Sequence, residues 1–253
     1  IPPWRISEEE RGGLRRRFLR EAEILSRLRH PHIASVLKYG EDTTSGLFMV
    51  LPYLEGGTLT DLLATQQNPL PLETIAGYLT QLAGALDYAH EEGVVHRDIK
   101  PANILLDGAG QLYLVDFSIA RLVEQTRTKL TATGGLLGTP QYMAPEQASG
   151  DGIVGPAADI YSLGVVLYQT VVGQVPFQAT TLVRALQQLM QEDPPAPRGL
   201  RPDLPEQAEA AILKALEKSP ADRFASAGEL AQAFAEGIAL SLIHISEPTR
   251  QAE

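Results

Sequence analysis

The chain has 253 residues, 44% of them hydrophobic and 21% charged, with 31 acidic against 21 basic side chains and a net charge of -10. That is enough apolar sequence for a sizeable core, which excludes a disordered or fibrous chain. The acidic balance leaves no broad basic footprint for nucleic acid or an anionic membrane. Cysteine is absent, which excludes disulfide frames, thiolate metal sites and cysteine nucleophiles and fits a reducing compartment.

In chain order, Ser7 and Glu10 suggest a capping box ahead of a helix running through Arg29, with Phe18, Leu19, Ala22, Leu25 and Leu28 at helical spacing. The basic run 15–17 is read as its solvated face, and His30-Pro31 ends it. Strands are predicted at 33–39 and 47–51 around a polar turn at 41–46. The segment 52–57 reads as a hinge, and it divides residues 1–52 from a second unit, 53–239.

Beyond the hinge the pattern is helical: 59–66, then an amphipathic helix over 72–91 ended by Gly93. Short strands are predicted at 94–95, 104–106 and 112–115, with a turn at 107–110. The stretch 118–141 is aperiodic and rich in Thr and Gly, and long loops of that kind usually carry function. Four further helices are predicted at 158–172, 181–191, 205–216 and 227–236. The apolar run 160–172 is too short to cross a bilayer and reads as a core helix; no secretory leader or internal repeat is seen.

Chemistry concentrates in HRDIKPANILL, residues 96–106, followed by VDFS at 115–118. Phosphoryl transfer needs a carboxylate to orient the acceptor hydroxyl, a cation beside the moving phosphate and oxygen ligands for magnesium. Asp98, Lys100, Asn103 and Asp116 supply these residue types at fixed spacing. A second segment, GTPQYMAPEQ, spans 138–147.

On these motifs the chain resembles the protein kinase family, most closely bacterial eukaryotic-like Ser/Thr kinases, over roughly 18–234. The resemblance implies an α+β, bilobal kinase-like fold. Its small lobe is expected to be incomplete, with one helix and two strands, and its large lobe mainly helical. It implies ATP and Mg2+ as cofactors and protein substrates as partners. Asp98 is then the base, Lys100 contacts the transferring phosphate, and Asn103 and Asp116 hold the metal. Lysine two residues after the aspartate resembles the Ser/Thr-specific class. Glu21 matches the helix residue that pairs with the nucleotide-binding lysine. Leu51 matches the gatekeeper, Pro52 and Leu54 the adenine-binding hinge backbone, and Leu105 the adenine floor. Proline fits the first hinge position because only its carbonyl is needed there.

Arg97 is expected to pair with a phosphate on Thr131 or Thr133, and Thr139 to dock the substrate. Glu146 is expected to pair with Arg223. Asp159 is expected to hold the catalytic loop, and Leu25, Val36, His96 and Phe117 to stack as a hydrophobic spine. Tyr88 and His90 are expected as core or cap residues.

The pattern also departs from the family. The glycine-rich loop and strand lysine are missing, and the first lysine is Lys38, so the chain is expected to be cut short at its start and this fragment inactive. Ser118 stands where the family has glycine, which restricts that backbone. Residues 240–253 resemble translated sequencing adapter rather than native protein. Two alternatives stay open: a pseudokinase acting as a binding module, and a small-molecule kinase, against which the 138–147 segment argues. A cytoplasmic domain is expected, with a membrane anchor elsewhere in the parent protein and a homodimer for trans-autophosphorylation.

Overall fold

The computed structural model describes residues 8–42, 46–66, 69–117, 140–149 and 154–245. Helix α1 (Glu8–Leu25) leads into a tightening chain: Ser26 still bonds back four residues, but Arg27 and Leu28 donate to Ile24 and Leu25, three residues back. The helix therefore ends at Leu25 rather than at the predicted Arg29. The Arg29 backbone N–H donates instead to the Tyr88 hydroxyl at 3.0 Å, and Pro31 forbids any continuation.

The hairpin β1 (Lys38–Asp42) and β2 (Gly46–Val50) pairs antiparallel, with Lys38 opposite Val50 and Asp42 opposite Gly46. The predicted strand at 33–39 is thus corrected, because its apolar run is divided between two partners. Ile33 bridges Leu114, with Ala34 N–H donating to the Leu114 carbonyl at 3.0 Å and Leu114 N–H to that of His32 at 2.9 Å. The paired register with β2 begins at Lys38, just after Leu37 N–H donates to the Val50 carbonyl at 2.9 Å.

After the hinge come α2 (Leu59–Thr65) and α3 (Leu72–Glu91). Thr58 caps α2 in a full capping box with Asp61. One face of α3 buries Ile75, Leu79, Leu82, Ala83, Leu86 and Ala89, at helical spacing. Gly93 terminates it with a φ of 74°, a conformation that favours glycine. Val94 and Val95, predicted as strand, form none, since Val94 N–H returns to the Ala89 carbonyl at the helix end. Strands β3 (Ile104–Leu106) and β4 (Leu112–Leu114) form a second small hairpin.

The large lobe is completed by α4 (Pro145–Ser149), α5 (Pro156–Val172), α6 (Leu182–Gln191), α7 (Glu206–Ala215) and α8 (Ala227–Ile245). Helix α5 is buried on every side, including Asp159, Tyr161 and Tyr168, so it is the core's axis. Around it pack α3, α7 and α8. Gly164 and Gly237 permit the close approaches: a Cβ on Gly164 would lie 2.8 Å from that of Ala215, and one on Gly237 2.5 Å from the Ala208 nitrogen. Helix α8 continues nine residues past its predicted end at Glu236, through the predicted boundary at 239/240. No helix among the described residues is long and apolar enough to cross a membrane.

Asp87 on α3 fastens α8 by its N-terminus: its two carboxylate oxygens accept from Ala227 N–H and Gly228 N–H, each at 2.8 Å. Negative charge is favoured there because the first helical N–H groups lack intrahelical partners. Asp87→Ala is predicted to lower stability by about 1–2 kcal/mol in urea denaturation. An unchanged midpoint would contradict the role of this clasp.

Candidate active site

The loop from the end of α3 to β3 is held from below by Asp159, which is fully buried on α5. Asp159 Oδ2 accepts from His96 N–H at 2.8 Å and Oδ1 from Arg97 N–H at 2.7 Å, while the His90 ring Nε2 sits 2.8 Å from Oδ2. A carboxylate can only accept, so His90 donates. This is the loop-holding contact expected of Asp159, and His90 proves to be part of it. Arg97 is thereby kept at a φ of 68°, a left-handed conformation costing an ordinary residue roughly 1–2 kcal/mol.

His96 is fully enclosed. Its Nε2 lies 2.9 Å from the Val115 carbonyl, and its Nδ1 accepts from Asp98 N–H at 3.3 Å. That pattern requires a neutral ring with the proton on Nε2. Burial, which pushes the imidazole below its usual range, outweighs the nearby carboxylates of Asp159, Asp98 and Asp116.

Directly after it, Lys100 Nζ donates to Asp98 Oδ2 at 2.7 Å. Asn103 Nδ2 donates to the same oxygen at 2.9 Å and to the Asp98 carbonyl at 2.8 Å. Both ions of the Asp98–Lys100 pair are partly exposed, so the pair adds little stability and its effect is orientation.

The β3–β4 hairpin brings the second carboxylate alongside. Val115 N–H donates to the Asn103 carbonyl at 3.1 Å, which ties the residue before Asp116 to Asn103. Asp116 is exposed between buried Val115 and Phe117, at a φ of 60° that aspartate tolerates better than most residues. The Phe117 ring meets that of His96 with centroids 4.5 Å apart. Leu25, Val36, Leu51, Asp116 and Phe117 line one small cavity of about 20 Å³. The four expected spine residues are all buried, and the expected gatekeeper position faces the same cavity as Asp116.

The hinge strap is stitched to β3. Gly56 N–H donates to the Leu106 carbonyl and Leu106 N–H to that of Gly57, each at 2.9 Å, and Thr58 bridges Leu105. A Cβ on Gly56 would lie 2.5 Å from the Asp107 carbonyl oxygen, so only glycine fits. Leu51, Pro52, Leu54 and Leu105 are all half-buried, while Tyr53 between them projects into solvent.

Glu21 points inward from α1 into a cavity of about 370 Å³ shared with Arg97 and Phe117. Among the described residues its Oε2 is buried without a hydrogen-bond partner, as is Arg97 Nε. Burial raises the Glu21 carboxyl above its usual range, and the Arg97 guanidinium partly opposes this. Thr131, Thr133 and Thr139, along with Ser118, lie outside the described residues.

Past that segment, Arg223 and Glu146 form the expected pair as a fork, at 2.7 and 2.8 Å. The remaining Arg223 donors go to the carbonyls of Glu217, Ala157 and Lys218, so all five N–H groups are used. Two contacts lack any periodic or motif-level signal beyond their place in GTPQYMAPEQ. Tyr142 donates through its hydroxyl to Gln169 Oε1 at 2.7 Å, and Gln147 Nε2 donates to the Arg97 carbonyl at 2.9 Å. Among the described residues no cluster of three or more His, Cys, Asp or Glu is placed to hold a metal by itself. A cation at Asn103 and Asp116 would therefore need further oxygen ligands from water or substrate.

Two predictions follow from this geometry. Arg223→Met leaves Glu146 without its partner and is expected to cost about 3–5 kcal/mol, read by denaturant unfolding. A loss below the measurement error would contradict the pair's structural weight. Because His96 is held neutral when folded, its contribution to stability is fully present above the unfolded value of about 6.5 and is lost as the pH falls below it. His96→Gln is expected to flatten stability between pH 8 and 5 relative to the parent, whereas parallel profiles would show that His96 does not titrate with unfolding.

Comparison with known proteins identifies the family and the fold. The protein kinase domain model matches residues 5–235. Serine/threonine-protein kinase PknB of Mycobacterium leprae is 37% identical over 217 residues, covering 85% of this chain and 34% of that protein. Serine/threonine-protein kinase PksC of Streptomyces coelicolor is 39% identical over 221 residues, covering 85% of this chain and 40% of that protein. The chain thus spans between about a third and two fifths of these relatives. The crystallised PknI kinase domain of Mycobacterium tuberculosis matches with a TM-score of 0.72 at 33% identity, over 90% of this chain and 80% of that one. With this fold, these motifs and these relatives, the chain belongs to the protein kinase domain family and resembles its bacterial serine/threonine members.

Proposed function

We propose that the protein transfers the terminal phosphate of ATP to serine and threonine hydroxyls of protein substrates. The observation that carries this reading is the convergence of Lys100 Nζ and Asn103 Nδ2 on one oxygen, Asp98 Oδ2, at 2.7 and 2.9 Å. Asp98 Oδ1 is left to accept the proton of an acceptor hydroxyl and aim its oxygen, and Lys100 places positive charge where the phosphoryl group passes.

The donor set fits magnesium. With its Nδ2 committed to Asp98, Asn103 turns Oδ1 away from it, and that oxygen together with the Asp116 carboxylate gives the hard ligands the ion takes. Bound ATP with Mg2+ supplies the phosphoryl group and neutralises charge developing on it. Adenine would be gripped by the backbone of Pro52 and Leu54 beneath the Leu51 gatekeeper, with Leu105 as its floor. On this reading the site lies between the smaller unit ending at residue 52 and the larger one that follows it. Arg97 would order the segment beyond Asp116 by pairing with a phosphate on Thr131 or Thr133, and Thr139 would seat the substrate.

A second reading, a binding module without turnover, is raised by Ser118, which stands where the family has glycine and restricts the backbone after Asp116 and Phe117. A filter assay with Mg·ATP, a generic basic protein and an aminoglycoside and sugar panel tests both readings. The full protein is expected to label the basic protein alone, and Asp98→Asn to lower the rate by about 10²–10⁴-fold with nucleotide affinity kept. Nucleotide binding with no transfer to any acceptor would instead support the binding module.

A further inference from the structure

Arg97 has an unfavourable backbone, and the two peptide planes flanking it are fixed by different parts of the molecule. The preceding N–H groups, of His96 and Arg97, are taken by Asp159. The following plane, which carries Asp98, is gripped at both ends. Its N–H reaches His96 Nδ1 at 3.3 Å, and its carbonyl accepts from Gln147 Nε2 at 2.9 Å. The other end of the same amide, Gln147 Oε1, accepts from Ala144 N–H at 2.9 Å.

Gln147 is the third residue of α4, and its bond to the Ala144 N–H is half of a capping box, a role glutamate fills equally well. Donation to a carbonyl fifty positions away in sequence is a different matter: a carboxylate would face the Arg97 oxygen with no proton to give. The amide satisfies the donor at Ala144 and the acceptor at Arg97 together, whereas an ionised carboxylate satisfies only the first. Ala144 is fully buried, so its N–H cannot turn to water instead.

We propose that Gln147 is a positioning residue for phosphoryl transfer: its amide locks the Arg97–Asp98 peptide, and so the direction of Asp98, to the segment ending at α4. The inference rests on the function proposed above for Asp98. It makes the aim of the base depend on how the 140–147 segment is seated, because the two are joined through one side chain.

Gln147→Glu keeps the helix cap and removes the donor, which separates the two roles. In the full protein at pH 8 the variant is expected to lose about tenfold in kcat with KM for ATP unchanged, the cost of a small misplacement of a catalytic group. Its rate relative to the parent should recover as the pH falls toward 6, because a protonated glutamate regains the missing hydrogen. A merely structural role for Gln147 would not produce that recovery.

Deuterium uptake by peptides spanning 94–106 should rise in Gln147→Glu and in Gln147→Met, with peptides spanning 206–216 unchanged. Equal kcat at all pH values together with unchanged uptake over 94–106 would overturn the proposal. Should the parent protein transfer no phosphate at all, the functional reading falls, and the uptake comparison alone decides whether Gln147 holds the loop.

Discussion

The site depends on one buried carboxylate. Asp159 lies at the centre of the large lobe with no solvent contact, where an unpaired charge would cost several kcal/mol. Its compensation comes from three donors: two successive backbone N–H groups of the loop and the His90 ring. Because the loop's own amides satisfy the charge, the loop cannot leave without exposing it. Arg97 therefore persists in a left-handed backbone that its side chain disfavours, and the chain turns sharply enough to present Asp98 to Lys100 and Asn103.

Helix α5 serves several layers at once. From its first turn Asp159 holds the loop bearing His96 and Arg97. Ser162, three residues on, donates to the Tyr142 carbonyl at 2.7 Å, and Gln169 takes the Tyr142 hydroxyl. Tyr161 lies under the Arg223 guanidinium, 4.9 Å from ring to carbon, and burial pushes its hydroxyl well above the usual phenol range. This one largely buried helix thus fixes the loop bearing Asp98, the segment at 140–149 and the Arg223–Glu146 fork relative to each other. Such rigidity is what positioning of reacting groups requires.

Much of this was legible in the sequence because it is written in short range. HRDIKPAN and VDF fix residue types at intervals that a single loop and hairpin must satisfy, and the structure brings Asp98, Lys100 and Asn103 into hydrogen-bonding contact and ties Val115, the neighbour of Asp116, to Asn103. Helix α3 was readable from its apolar stripe and its terminal glycine. The misplaced strand at 33–39 has a different cause: pairing partners are set by tertiary packing, and Ile33 goes to β4 while Lys38 goes to β2. The end of α1 was missed because the Tyr88 hydroxyl, far off in sequence, captures Arg29. Gln147 was invisible for the same reason, since its partner sits fifty residues away and no local period reports it. Tyr88 packs against the core as expected and its hydroxyl also accepts from Arg29 N–H beyond the end of α1, while His90 donates to Asp159 on α5.

The central claim is that the aim of Asp98 is set by the carboxylate beneath it. The most direct measurement is phosphoryl transfer by Asp159→Asn in the full protein, with nucleotide binding followed in parallel. Asparagine matches the shape but places an N–H group where donors already point. The account predicts nucleotide binding retained and transfer lowered by about 10²-fold or more. Transfer at the parental rate in a folded Asp159→Asn protein would contradict it.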